Sequence, residues 1–150
     1  MNPLMAQAIS VAVLLALWDG VCGMLTLSIY PAIIAWGCFY AAGGKTEGIA
    51  KTIAALLSGA FWGVLATWAS ANLGGRPVGV IAMGLAGLAI VLQTRVALLS
   101  FLGGAIIGLG TLVSFPNLLA GSLLRFCGSL IAGVLLGWLS EMLAGKLKKA

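Results

Sequence analysis

The sequence predicts an all-α integral membrane protein, a single polytopic helical domain that covers residues 1–150. Three observations predict this class: 62% of the residues are hydrophobic, 7% are charged, and apolar runs fill almost the whole chain. A soluble domain carries charge on about a quarter of its residues. Backbone groups between lipid tails must be paired internally, and the alternating pattern of a membrane barrel is missing. We therefore expect a transmembrane helix bundle in contact with the lipid bilayer.

Turn sequences divide the chain into about six spans, each near the roughly 20 residues that a bilayer requires. The breaks read DGVCG, GKTEG, NLGGRP, a turn at Arg95, and SFPNLLAGS. The predicted spans are residues 4–20, 24–43, 51–71, 78–94, 96–114 and 123–144. The first part of the chain leaves an alternative open. If residues 4–43 form one long span and a re-entrant piece, the count is five.

The distribution of basic residues predicts the orientation of six spans. One side of the membrane receives Lys45, Lys51, Arg95, Lys146, Lys148 and Lys149, and the other side receives Arg76 and Arg125. Because lysine and arginine mark cytoplasmic loops, both termini are expected in the cytoplasm. The net charge of +5 is small and scattered, so nucleic acid is not an expected partner.

Glycine is the most informative residue type, with 22 copies. Pairs one turn apart let helix backbones approach closely within a membrane, so we expect helix packing, within or between copies of the chain, at three such pairs. These are Gly59 with Gly63, Gly104 with Gly108, and Gly133 with Gly137. The first and third pairs are separated by about half of the chain. Six spans with repeated glycine pairs would form two sets of three, a 3+3 inverted repeat.

Candidate residues for a solute path lie at two places. Trp36, Phe39 and Tyr40 share one helical face of the second span, where they could either pack or narrow a channel. Phe115 and Asn117 flank Pro116 at a break that is either an ordinary external loop or non-helical backbone lining a cavity. Tyr30–Pro31 is a second break, whose simplest interpretation is a kink inside the second span.

Catalytic and metal chemistry find little support in the sequence. The chain has no histidine, no paired carboxylates and no Cys/His couple, so we expect no enzyme, no cofactor and no metal site. The three cysteines have no ligand spacing and are interpreted as small buried hydrophobes. Asp19, Glu47 and Glu141 all lie away from span centres. Proton-coupled transport usually needs an ionisable group inside the membrane, so this placement argues against it.

Two stretches resemble a family of small bacterial inner-membrane proteins. Both are similar to the pattern of domain-of-unknown-function family 1097. The first stretch extends from AIIAWGCFYAAGG through KTIAALLSGAFWGVL, and the second is LLSFLGGAIIGLGTL. The positions that carry the resemblance are Trp36, Phe39, Tyr40, Ala41, Gly43 and Gly44, then Leu57, Ser58, Gly59 and Trp62. The resemblance implies an inner-membrane location and a polytopic helical fold. It implies no activity, because the family has none assigned.

The sequence leaves two functional hypotheses. Six glycine-rich spans without central charge suit a passive channel or facilitator for a small neutral solute, expected to work as a homo-oligomer. The alternative is a non-transporting membrane subunit or scaffold, in which the glycine faces would bind partner helices.

Overall fold

The computed structural model describes residues 2–115 and 123–149, and its regular structure there is helical. The helices are α1 (Pro3–Cys22), α2 (Ile29–Ala41), α3 (Lys45–Leu73), α4 (Arg76–Gln93), α5 (Leu102–Ser114) and α6 (Leu123–Lys149), with a single 3-10 turn at Ala97–Leu99. The prediction of an all-α fold is confirmed, and each helix overlaps one predicted span.

Helix length separates these elements into two classes. By length and composition, α1, α3, α4 and α6 could each cross a membrane. The two others, α2 and α5, have 13 residues each. At 1.5 Å per residue such a helix is about 20 Å long, short of the ~30 Å hydrocarbon core. Two of the six predicted spans are therefore helical over only part of the distance.

The second and fifth spans begin later than predicted. Residues 23–28 form a turn before α2, in which Thr26 has a φ of 55°, and residues 94–101 precede α5. The predicted starts of these two spans were wrong because they followed hydropathy, and both turns are rich in apolar residues. Pro31 does not kink a span. It lies in the first turn of α2, where a missing N–H costs no helical hydrogen bond.

The turn from α2 to α3 is built by glycine. Gly43 and Gly44 have φ values of 98° and 66°, and Lys45 follows at 57°. The N–H of Gly44 donates to the carbonyl of Phe39 at 3.1 Å, which closes the end of α2. The left-handed backbone at three successive residues favours glycine at the first two.

The chain divides into two compact units. Unit 1 comprises Met1–Ile49 and Leu124–Ala150, and unit 2 comprises Ala50–Leu123. Unit 1 holds α1, α2 and α6, with a core around Trp18, Cys22 and Ala32. Unit 2 holds most of α3 together with α4 and α5. The single domain predicted for residues 1–150 stays a prediction.

In unit 1, α2 packs against α6 through glycine. A Cβ added at Gly133 would lie 2.0 Å from the carbonyl oxygen of Ala32, so the two backbones are in direct contact. Further along both helices, a Cβ at Gly137 would meet Phe39 at 2.7 Å. The pairing advances in the same direction along both chains, so α2 and α6 run parallel.

In unit 2, α5 packs against α3 in the same manner. A Cβ at Gly59 would lie 1.8 Å from the carbonyl oxygen of Ala105, and one at Gly108 would lie 2.1 Å from that of Leu56. Further along α3, a Cβ at Gly63 would meet Leu112 at 2.9 Å. These helices also run parallel, and Ala55, Ile90 and Ala105 form the core of the unit.

Candidate functional site

A chain of uncharged side-chain hydrogen bonds crosses unit 1. The Gln7 amide of α1 donates to the hydroxyl of Tyr40 on α2, and that hydroxyl is bonded to the Ser140 hydroxyl on α6. Trp36 donates its indole N–H to the same Ser140 oxygen at 3.2 Å. Ser140 in turn donates to the carbonyl of Gly137 at 2.7 Å. One serine thus uses its proton and both lone pairs while it is fully buried.

A cavity of about 630 Å³ lies beside this hydrogen-bond chain. We call it the unit 1 cavity, and its lining residues are Gln7, Val11, Tyr40, Glu141, Gly145 and Lys148. Tyr40 forms part of its wall and is 39% exposed, whereas Trp36 is buried. The charged groups of the lining, Glu141 and Lys148, lie on the C-terminal part of α6. The Gln7 and Tyr40 groups offer hydrogen bonds without charge.

Glu141 also stabilises the start of α3. Its carboxylate accepts a 2.8 Å hydrogen bond from the backbone N–H of Lys45, the first residue of that helix. A carboxylate at a helix N-terminus is favoured by the helix dipole and by the free N–H groups there. The same carboxylate oxygen would lie 2.9 Å from a Cβ at Gly44, so a larger residue there would displace the Glu141 side chain, and the φ of 66° favours glycine in addition.

The three aromatic residues predicted for a solute path have different environments. Trp36 and Tyr40 belong to the hydrogen-bond chain. Phe39 is fully buried, and its ring packs against Gly137 of α6 and within 3.6 Å of a Cβ placed on Gly48. It does not line the unit 1 cavity. The common helical face therefore contains two polar contacts and one packing residue.

The other predicted path residues lie near the end of α5. Phe115 caps α5, is half-buried, and donates its backbone N–H to the carbonyl of Leu112 at 3.1 Å. Asn117 lies outside the described residues, so its predicted role stays a prediction. The six glycines predicted for helix packing all lie against neighbouring side chains or backbone within their own unit.

Unit 2 contains a second polar cluster. Gln93, at the end of α4, accepts a hydrogen bond from the indole N–H of Trp62 at 3.1 Å and donates to the hydroxyl of Ser58 at 2.9 Å. Ser58 donates to the carbonyl of Ala55. The amide therefore joins α4 to the middle of α3, and all three side chains are half-buried.

A cavity of about 440 Å³ lies elsewhere in unit 2. We call it the unit 2 cavity, and its lining residues are Ala66, Thr67, Ser70, Arg76, Gly79, Val80, Met83 and Val113. Two hydroxyls line it, and both donate to backbone carbonyls, Thr67 to Gly63 at 2.7 Å and Ser70 to Gly75 at 3.2 Å. Their remaining lone pairs can accept hydrogen bonds.

Sequence reasoning missed the two glutamines. Gln7 and Gln93 are the only glutamines in the chain, and each interrupts an otherwise apolar run. That isolation was an available signal, since a polar amide among lipid-spanning residues needs a partner. The partners Ser58 and Ser140 could not be identified from sequence because serine is common in such helices.

A family model described as "Protein of unknown function (DUF1097)" matches residues 8–145. The chain belongs to this family. The match spans α1 through most of α6, so both units and both cavities lie largely inside it. Neither a curated protein nor a solved structure matches the chain.

Proposed function

We propose that this DUF1097 protein is a passive channel or facilitator for a small neutral solute in the bacterial inner membrane, with both termini in the cytoplasm. The observation that carries the proposal is the unit 1 cavity, where the Gln7 amide and Tyr40 hydroxyl offer hydrogen bonds without charge. The Gln7 and Tyr40 groups can replace the water around a neutral solute, and the two charged residues of the lining, Glu141 and Lys148, have opposite signs.

Two of the three acidic residues, Asp19 and Glu47, are exposed and lie outside the unit 1 cavity, and the third, Glu141, accepts a hydrogen bond at the start of α3.

The test is solute flux into proteoliposomes. Purified protein would be reconstituted, and stopped-flow light scattering would follow swelling with urea, glycerol, ammonia and water against protein-free liposomes. Tyr40→Phe removes one hydroxyl from the cavity wall. A lost hydrogen bond of about 0.5–1.5 kcal/mol lowers flux roughly two- to tenfold if it lies on the path.

A matched control is available on the same helix. Tyr30 is the other tyrosine of the chain, lies on α2, lines neither cavity, and is 65% exposed. Tyr30→Phe should leave flux unchanged. Equal flux in both variants would remove Tyr40 from the path, and no flux for any solute would reject the channel.

The second candidate is a non-transporting subunit that binds partner helices. It is favoured by α4, of which 11% is buried within the structure. Large apolar side chains such as Ile81, Leu85 and Leu88 are exposed along it. Lipid would cover this face equally well. Recovery of a stoichiometric partner in mild detergent, together with absent flux, would favour this candidate.

A further inference from the structure

We infer that the chain contains two equivalent solute vestibules, the unit 1 cavity and the unit 2 cavity, which are related by an internal repeat. The vestibule of unit 2 would admit neutral solutes that donate N–H or O–H hydrogen bonds. The inference rests on the proposed function for the identity of the occupant. Its geometric part rests on an internal repeat.

The first evidence for a repeat is the register of the helices. The long helices α1 and α4 begin at Pro3 and Arg76, and the short helices α2 and α5 extend over Ile29–Ala41 and Leu102–Ser114. The displacement along the sequence is the same at the start of the long helices and at both ends of the short ones. Each short helix is followed by a much longer one, of 29 residues in α3 and 27 in α6.

Equivalent contacts are the second evidence. Gly59 meets the Ala105 carbonyl in unit 2, and Gly133 meets the Ala32 carbonyl in unit 1. The two alanines are related by the same displacement as the helix ends, and the two glycines by a displacement that is longer by a single position. Both displacements recur at the next contact, because Gly63 meets Leu112 where Gly137 meets Phe39. A constant register on two helices is hard to obtain by chance.

This correspondence places the two cavities at equivalent positions. Each is lined by the early turns of a long helix (α1 or α4), by the last turn of a short helix (α2 or α5), and by the C-terminal half of the helix that carries the glycine pair (α6 or α3, here called the glycine helices). Tyr40 and Val113 are the short-helix residues, and they are related by the displacement of the helix ends. Thr67 and Glu141 belong to the glycine helices and are related by the displacement of the glycines.

The lining chemistry defines the class of solute. Arg76 is the charged residue among the described residues that line the unit 2 cavity, and none of those residues is acidic. The Thr67 and Ser70 hydroxyls already donate to backbone, so they can offer lone pairs to the cavity. A neutral molecule with N–H or O–H groups suits such a wall, whereas a cation would meet Arg76.

Cysteine accessibility tests this inference without any need for transport. Cys22, Cys38 and Cys127 would first be replaced by alanine, and the variant checked for unchanged elution in detergent. Single cysteines would then be introduced as Met83→Cys in the unit 2 cavity and Val11→Cys in the unit 1 cavity. A charged, membrane-impermeant thiol reagent would be applied to whole cells and, separately, to inside-out vesicles.

Each probe has a control on its own helix. Ile81→Cys and Ile9→Cys lie slightly nearer the helix starts, outside the cavity linings, at positions that are 65% and 42% exposed. Because the thiolate that reacts forms only where water reaches it, a cavity cysteine should label at least about tenfold faster than its lipid-facing control. If the labelling rate depended only on depth in the membrane, the controls would label faster, because they lie nearer the helix starts.

The inference requires that Met83→Cys and Val11→Cys each label faster than the control on the same helix, from at least one side of the membrane. Labelling no faster than the control in either cavity would overturn the pair of vestibules. Gly145→Cys is a second unit 1 probe, since a Cβ there meets nothing within 4 Å. Labelling as expected without solute flux would reject the proposed channel but support the two vestibules.

Discussion

Replacing Gly108 by alanine should push α5 away from α3. A Cβ at this position would lie 2.1 Å from the carbonyl oxygen of Leu56 and 2.9 Å from its Cα. Neither atom can rotate away, because both belong to a helix backbone. Ordinary contact begins near 3.4 Å, so the two helices must separate locally to admit the methyl group. Overpacking of this kind costs about 1–3 kcal/mol.

A matched control separates the clash from the intrinsic effect of alanine. Gly110 lies slightly further along the same helix, and a Cβ there meets nothing within 4 Å. Both substitutions gain the helix propensity of alanine, up to about 1 kcal/mol. The difference between the two variants therefore isolates the contact with Leu56, and Gly108→Ala should be the less stable by about 1–3 kcal/mol.

The assay is reversible unfolding in mixed micelles, with the denaturing detergent titrated and far-UV circular dichroism recorded. The free energy of unfolding of Gly110→Ala should equal or exceed that of the wild type, and that of Gly108→Ala should fall below it. If the two variants agree within about 0.5 kcal/mol, the backbone contact between α3 and α5 does not hold these helices together.

Two further predictions concern polar contacts. Glu141→Gln should lower the free energy of unfolding by about 0.5–1 kcal/mol, because the charge at the start of α3 is lost, and salt at about 1 M should shrink that loss; Asp19→Asn is the control in the same titration. Gln93→Leu should cost about 1–3 kcal/mol, because the Trp62 indole loses its acceptor. If the free energy of unfolding of Gln93→Leu equals that of the wild type, this amide contributes nothing to stability.

Hydropathy was enough to place six helices, but it could not define their lengths. Met24, Leu25 and Leu27 continue the apolar run of α1, although they belong to a turn before α2. Backbone conformation there depends on local geometry, such as the positive φ of Thr26, which an average over side chains does not register. The short helices were therefore predicted as full spans.

Only part of the candidate site could be predicted, because the sequence shows which residues share a helical face but not which helix that face contacts. The helical face of Trp36, Phe39 and Tyr40 could be read from spacing, since every third or fourth residue shares a side. Which of these residues packs and which makes polar contacts depends on α6, at the far end of the chain. The roles of Gln7 and Ser140 depend on the same tertiary contact, and one sequence contains no information on such pairings.

The glycine contacts and the cavities have a common physical origin. Glycine brings each short helix into backbone contact with a helix about twice its length. A 13-residue helix held in this manner cannot fill the space along its whole neighbour. The room beside its last turn is left to side chains such as Tyr40 and Val113, and the unit 1 and unit 2 cavities are found there. Removing the glycine contact should therefore alter the cavity as well as the stability.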